Sequence, residues 1–181
     1  MQFREMRVAG ARLVETTAIG DDRGTFCRIW CAEEFLHAGL PATLSQASLS
    51  GNVRRGTLRG MHYRPADEGE YKLVRCIRGS VFDVVLDLRP DSPTWLRWDA
   101  VILSATDRNA LCIPPGCAHG FLTLEDDTDL LYMMSVPYRP GAERGVRWND
   151  PAFGILWPST PDVIAARDAS YPDHISPVSP P

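Results

Sequence analysis

The stretch KLVRCIRGSVFDVVLDL, Lys72–Leu88, decides the fold. Two apolar, β-branched runs flank Arg78-Gly79-Ser80, which reads as a hairpin connection. In the second run Ser80, Phe82, Val84, Leu86 and Leu88 share one face, and Val81, Asp83, Val85 and Asp87 share the other. That assignment follows from the alternation of side chains along a strand. One face is apolar. The other carries two acids among valines, so if it lines a cavity those acids are candidates for site chemistry.

Similar short runs extend in both directions: GARLVET, GTFCRIW and ATLSQASLS before it, then RWDAVIL, NALCIP, HGFLTLE, TDLLYMMSV and GVRWN after it. Glycine and proline punctuate them. Short strands at regular spacing predict a mainly β chain built as an antiparallel sandwich or barrel. Helix is scarce. CAEEFLHAG (31–39) predicts a short helix closed by Gly39. TPDVIAARDAS (160–170) predicts another, with Thr160 as N-cap and Pro161 in the first turn. The tail YPDHISPVSPP is rich in proline and serine and reads as extended. No repeat or linker interrupts the chain, so residues 1–181 read as one domain with an extended N-terminal segment and a Pro-rich C-terminal tail.

The 181 residues are 44% hydrophobic and 23% charged, which suits a chain that buries a sizeable core. Nineteen Lys and Arg against 23 Asp and Glu leave a net charge of −4, so no nucleic-acid partner is expected. A local basic patch for a small anion remains compatible with that charge. No apolar run approaches the roughly 20 residues of a membrane span, and the start MQFREMRVAG lacks the layout of a signal peptide. Cys27, Cys31, Cys76, Cys112 and Cys117 form no C-x-x-C pair, and read as reduced thiols of a cytoplasmic protein.

Metal chemistry finds little support. His62 in GMHYR and His119 in CAHGF each stand alone, without an H-x-H or clustered Cys/His spacing. There is no G-x-S-x-G nucleophile elbow and no phosphate-binding G-x-x-x-x-G-K-[ST] loop. Taken singly, each histidine reads as a core or surface residue satisfied by one hydrogen bond.

The combination reads differently. GTLRGMHYR, YKLVRCIRGSVFDVVLDLR, IPPGCAHGFLTLED, LLYMMSVPY and ERGVRWNDPAFGILWP occur in that order. Together they resemble the dTDP-4-dehydrorhamnose 3,5-epimerase family, from about Gly20 to Asp168. The resemblance implies a cupin-type jelly roll, a homodimer, a nucleotide-sugar substrate, and no metal or organic cofactor. It implies epimerisation beside the C4 ketone of a nucleotide-linked 4-keto-6-deoxyhexose. One group removes a proton α to the ketone, a cation holds the enolate, and another group returns a proton to the opposite face.

By that resemblance His62 is the general base and Asp168 in AARDAS its orienting partner, while Tyr132 in LLYMM is the general acid and Lys72 in YKLVR the enolate stabiliser. His119 and Asp83 match further site positions and read as a second imidazole–carboxylate pair. Arg59 matches an arginine near the sugar nucleotide, and Arg23 in DDRGTF one at the diphosphate. Phe26 and Tyr138 match aromatic positions of the nucleotide pocket. Gln46 and Glu143 match as well.

Departures cluster around recognition. The family's R-G-x-F-x-E is RGTFCR here, with Arg28 in the glutamate's place. Its QDN is QAS, ending in Ser48. Its HYQ is HYR, with Arg64, and its QGKLVR is EYKLVR, with Glu70 and Tyr71. Reversing a charge alters which base or phosphate a site tolerates. Alternatives therefore stay open: a single-carbon 3- or 5-epimerase on a CDP- or GDP-linked 4-keto sugar, a sugar-nucleotide-binding cupin without catalysis, or a sugar-nucleotide ketoisomerase of similar fold.

Overall fold

The computed structural model describes residues 1–174. Its strands, in chain order, are β1 (Gln2–Glu5), β2 (Arg12–Glu15), β3 (Ala18–Asp21), β4 (Gly24–Cys27), β5 (Gln46–Asn52), β6 (Thr57–Tyr63) and β7 (Lys72–Arg78). They continue as β8 (Ser80–Asp87), β9 (Trp98–Ser104), β10 (Ala110–Ile113), β11 (Cys117–Thr123), β12 (Thr128–Met134), β13 (Arg144–Gly145) and β14 (Val163–Ile164). The α-helices are α1 (Ala32–His37) and α2 (Ala166–Ala169).

Two sheets face one another. The first has the order β1-β2-β10-β7-β12-β5, the second β13-β6-β11-β8-β9, and β3 pairs only with β4 in a separate hairpin. Apart from β14, which runs parallel to β6, the pairs are antiparallel. This is the mainly β, antiparallel sandwich expected from the short-strand pattern.

The alternation in Ser80–Leu88 sorts β8 as its sequence says. Val81 and Val85 point between the sheets and pack with Val74, Leu111, Phe121 and Leu130. Val84 and Leu86 point the other way, against Met61, Phe153 and Ala118. Sheet one is covered outside by α1 and the turn after it, where Phe35 and Leu40 meet Val14, Leu73 and Met133. Burying a side chain the size of Phe35 stabilises the fold by roughly 2–3 kcal/mol. Cys76, Cys112 and Cys117 lie in these layers, where burial pushes their thiols up to about 11, 12 and 12. At neutral pH they are small protonated hydrophobes.

Helix α1 ends where expected, at Gly39 with φ +71°. Three local readings are corrected. Arg78-Gly79-Ser80 does not close a hairpin: β7 pairs with β10 and β12, whereas β8 pairs with β11 and β9. The turn carries the chain from one sheet to the other, because each strand has an apolar face that needs the opposite sheet to cover it. The helix expected over 160–170 shrinks to α2, capped by Ala165 rather than Thr160. Its first half is β14, which adds to β6 through Val163↔Thr57 and Ile164↔Leu58. Strand β6 itself escaped the strand pattern, since Arg59 and Gly60 break its apolar alternation. The tail expected after Tyr171 lies outside the described residues beyond His174.

Candidate active site

Strand β6 brings Arg59 and His62 to the space between the sheets, and its register places His62 directly opposite His119 of β11. The approach of these strands depends on two glycines. A Cβ on Gly60 (φ +129°) would stand 2.6 Å from the Cα of Gly120, and one on Gly120 would stand 2.6 Å from the Met61 sulfur. Only glycine lets the backbones pass so closely.

A cavity of about 400 Å³ opens there. Its walls include Arg59, His62 and Arg64 from β6 and its end, Lys72 from β7, His119 from β11, and Tyr132 from β12. Gln46, Tyr138 and Glu143 also line it, with Ser50, Glu70, Met134, Arg139, Gly141 and Arg167. Strands β6 and β11 belong to one sheet and β7, β12 and β5 to the other, so His62 and Tyr132 face a common space from opposite walls.

His62 is held from behind. Its Nε2 lies 2.9 Å from Asp168 Oδ1, while Asp168 Oδ2 accepts the Gly60 N–H at 3.1 Å. A carboxylate beside Nε2 favours the tautomer with the proton there, which leaves Nδ1, 3.9 Å from Glu143 Oε1, as the unprotonated ring nitrogen. Burial raises the Asp168 carboxyl, but hydrogen bonds from His62, Gly60 and Arg167 outweigh it and hold its pKa below the ordinary value. Asp168 therefore stays ionised beside the imidazole. Arg167 donates from Nε to Asp168 at 3.1 Å, and its Nη2 lies 3.4 Å from Glu143 Oε2 and 2.9 Å from His62 Nε2.

The second pair has the opposite character. His119 Nε2 lies 2.8 Å from Asp83 Oδ1, with both side chains buried. Burial dominates at Asp83 and raises its carboxyl, against the pull of His119. Asp83 is thus one of the two acids on the inward face of β8, as its alternation implied. Asp87, the other, sits at the strand's end bonded to Arg89, Ser92 and Thr94. The Tyr132 ring packs edge-on to His119 at 5.7 Å. Burial first, and the nearby Asp83 second, push the Tyr132 phenol well above its usual value. Tyr132 is a phenol that stays protonated until something strongly basic takes its proton.

Arg59 is braced by Asn52 Oδ1 at 2.8 Å and Gly51 O at 3.3 Å, and Gln46 donates to Val136 O at 2.9 Å. Tyr138 stands at the rim, 71% exposed. Ser48 shares its strand face with Gln46 and Ser50 and pairs with Tyr132 in register, without itself lining the cavity. Arg23, Phe26 and Arg28 are not brought to the cavity of their own chain. Arg23 pairs with Asp21 on the β3–β4 hairpin, Phe26 is 76% exposed, and Arg28 pairs with Glu34 of α1 at 3.1 Å. The charge reversal at Arg28 thus has its own counter-ion.

Arg167, Arg139 and the facing pair Arg64–Glu70 were not among the expected site residues. Arg64 and Glu70 were visible as departures, but their meeting was not. Arg167 carries no local signal, since only the docking of α2 on β6 brings it in. Among the described residues, no three His, Cys, Asp or Glu side chains are grouped to hold a metal ion, and no helix is long and apolar enough to cross a membrane.

Comparison with known proteins places this arrangement. The family model described as dTDP-4-dehydrorhamnose 3,5-epimerase matches residues 5–174. A dTDP-4-dehydrorhamnose 3,5-epimerase of Mycolicibacterium smegmatis is 41% identical over 174 residues, covering 95% of this chain and 85% of the relative. The structure of dTDP-4-dehydrorhamnose 3,5-epimerase from Bacillus anthracis, with TDP and PPi bound, superposes with a TM-score of 0.91 at 34% identity, covering 96% of this chain and 99% of that one. ChmJ, a 3'-monoepimerase from Streptomyces bikiniensis in complex with dTDP-quinovose, superposes with a TM-score of 0.87 at 34% identity, covering 93% and 85%.

Proposed function

This chain belongs to the dTDP-4-dehydrorhamnose 3,5-epimerase family, and from that premise we propose that it is an isomerase that epimerises a nucleotide-linked 4-keto-6-deoxyhexose at carbons flanking the ketone. The observation that carries this reading is the placement of His62, backed by Asp168, and Tyr132 on opposite walls of one cavity, with Lys72 in the lining on the same sheet as Tyr132.

The chemistry follows from these groups. His62 Nδ1 takes the proton from the carbon next to the ketone, and the C–H electrons form the enolate. The resulting imidazolium is stabilised by ionised Asp168. The Lys72 ammonium faces the enolate oxygen, where negative charge develops. Tyr132 then delivers its hydroxyl proton to the same carbon from the other wall, and inversion results. Its raised pKa suits a group that donates only to a carbanion-like carbon. Arg59 provides a guanidinium for phosphate oxygens, and Tyr138 an aromatic face at the rim for the base.

The nucleotide is read as dTDP, in line with the relatives. Inversion at one carbon is a second reading, favoured by the similarity to ChmJ, named as a 3'-monoepimerase. The protein is read as a cytoplasmic homodimer in which Arg23 and Phe26 serve the second copy's cavity. Their exposed hairpin and distance from their own chain's cavity lining support that arrangement.

Solvent exchange tests the reading. Incubated in D2O with dTDP-4-keto-6-deoxyglucose, the protein should introduce deuterium at C3 and C5, followed by NMR. Label at one carbon favours the single-carbon reading. No label with dTDP, CDP or GDP sugars overturns catalysis. His62→Ala should lower exchange by about 10²–10⁴-fold, whereas Tyr132→Phe should keep exchange and lose inversion.

A further inference from the structure

We propose that Arg64 and Glu70 act together as positioning residues that set the charge available at Lys72, an inference that rests on the epimerase reading above. These are two of the positions where the chain departs from the glutamines of the family pattern, one just after β6 and one just before β7. In the fold they meet.

Glu70 Oε2 lies 3.1 Å from Arg64 Nε, and its other oxygen, Oε1, lies 3.4 Å from Lys72 Nζ. Arg64 and Glu70 are each only 6% exposed. One buried carboxylate is thus divided between two cations, an oxygen to each. The network reaches further: Arg64 Nη1 is 3.7 Å from Glu68 Oε2, which also pairs with Arg139 at 2.6 Å on the rim. Charges of alternating sign run from Lys72 to the segment that bears Tyr138 and Glu143.

The physical consequence is a matter of sign. Arg64, Glu70 and Lys72 together carry one net positive charge. A buried Glu70 with Lys72 as its only partner would form a closed, neutral pair, and the ammonium would be drawn toward the carboxylate rather than toward an enolate oxygen. Arg64 occupies the second oxygen, so Glu70 tethers Lys72 while the cavity keeps a positive field. Removing Glu70 alone leaves two buried cations with no carboxylate between them, and Lys72 loses its anchor. Each charge is needed because the other is present.

The test is a double-variant cycle read by kcat and KM on dTDP-4-keto-6-deoxyglucose. Arg64→Gln and Glu70→Gln should each lower kcat by about tenfold, with the larger change in kcat rather than KM. R64Q/E70Q together should return kcat to within about threefold of the parent, because both charges leave at once. Arg64→Lys, which keeps the charge, should retain kcat even if Arg64→Gln fails to fold. Losses that add in the double variant, or that fall on KM alone, overturn the inference while leaving the epimerase reading intact. A parent protein that exchanges no deuterium overturns both.

Discussion

Asp168 and Asp83 each meet a histidine, yet their surroundings push them in opposite directions. Asp168 has a backbone N–H and an arginine to support its charge. Asp83 has only His119, and its Oδ2 is buried without a hydrogen-bond partner. The Asp168 carboxylate is well supported, whereas Asp83 lies buried near Tyr132, where its charge adds to the burial that keeps the phenol protonated. Asp168→Asn should therefore cut kcat by at least about 100-fold by losing the tautomer that frees Nδ1. Single-turnover exchange would check this, with binding of dTDP unchanged. His62 and Asp168 are 106 positions apart in sequence, and their pairing was legible only through the resemblance. Either residue alone would pass for an ordinary side chain.

Strand β8 shows how one element serves two ends. Asp83 backs His119 from its middle, while Asp87 closes its end by accepting bonds from the Arg89 backbone and guanidinium, Ser92 and Thr94. Burial raises the Asp87 carboxyl, but these donors overcome it and bring its pKa to about 2. The folded value lies below the unfolded one, so this stabilisation is present above about pH 4 and is lost as pH falls toward 2. Partly shared with solvent around Arg89, it is worth about 1–2 kcal/mol. Urea unfolding should show the gap between the parent and Asp87→Asn shrinking by about that amount from pH 6 to pH 2.5. A constant gap would remove Asp87 from the account. The alternation in Val81–Asp87 was readable in the sequence because a strand's faces repeat every second residue. Strand β6 was not, because Gly60 is there for close backbone approach rather than for burial. Strand β14 falls where the sequence pattern predicts helix, because its two residues become a strand only by adding to β6.

Across the whole molecule, the residues expected at the nucleotide divide into those that line the cavity and those on the β3–β4 hairpin. The dimer reading makes that division testable. Arg23→Ala and His62→Ala proteins should each be inactive alone, and refolding them together should recover activity in the mixed dimer, where one cavity is intact. Recovery near a quarter of the parent's specific activity is expected from random pairing, with two sites per dimer. No recovery from a confirmed mixed dimer would place Arg23 at its own chain's site. The sequence by itself determined the mainly β architecture, the apolar layers of β8 and the identities of the proton-transfer candidates. The first two rest on local periodicity, and the candidates on the resemblance of short motifs, read in order, to a known family. Only the tertiary structure decided that β7 and β8 part into different sheets, that α2 brings Arg167 and Asp168 to His62, and that Arg64 and Glu70 meet beside Lys72. The physical reason is the same in each case: pairing of strands and of charges depends on which surfaces must be buried together, and that is a property of the assembled chain rather than of any stretch of it.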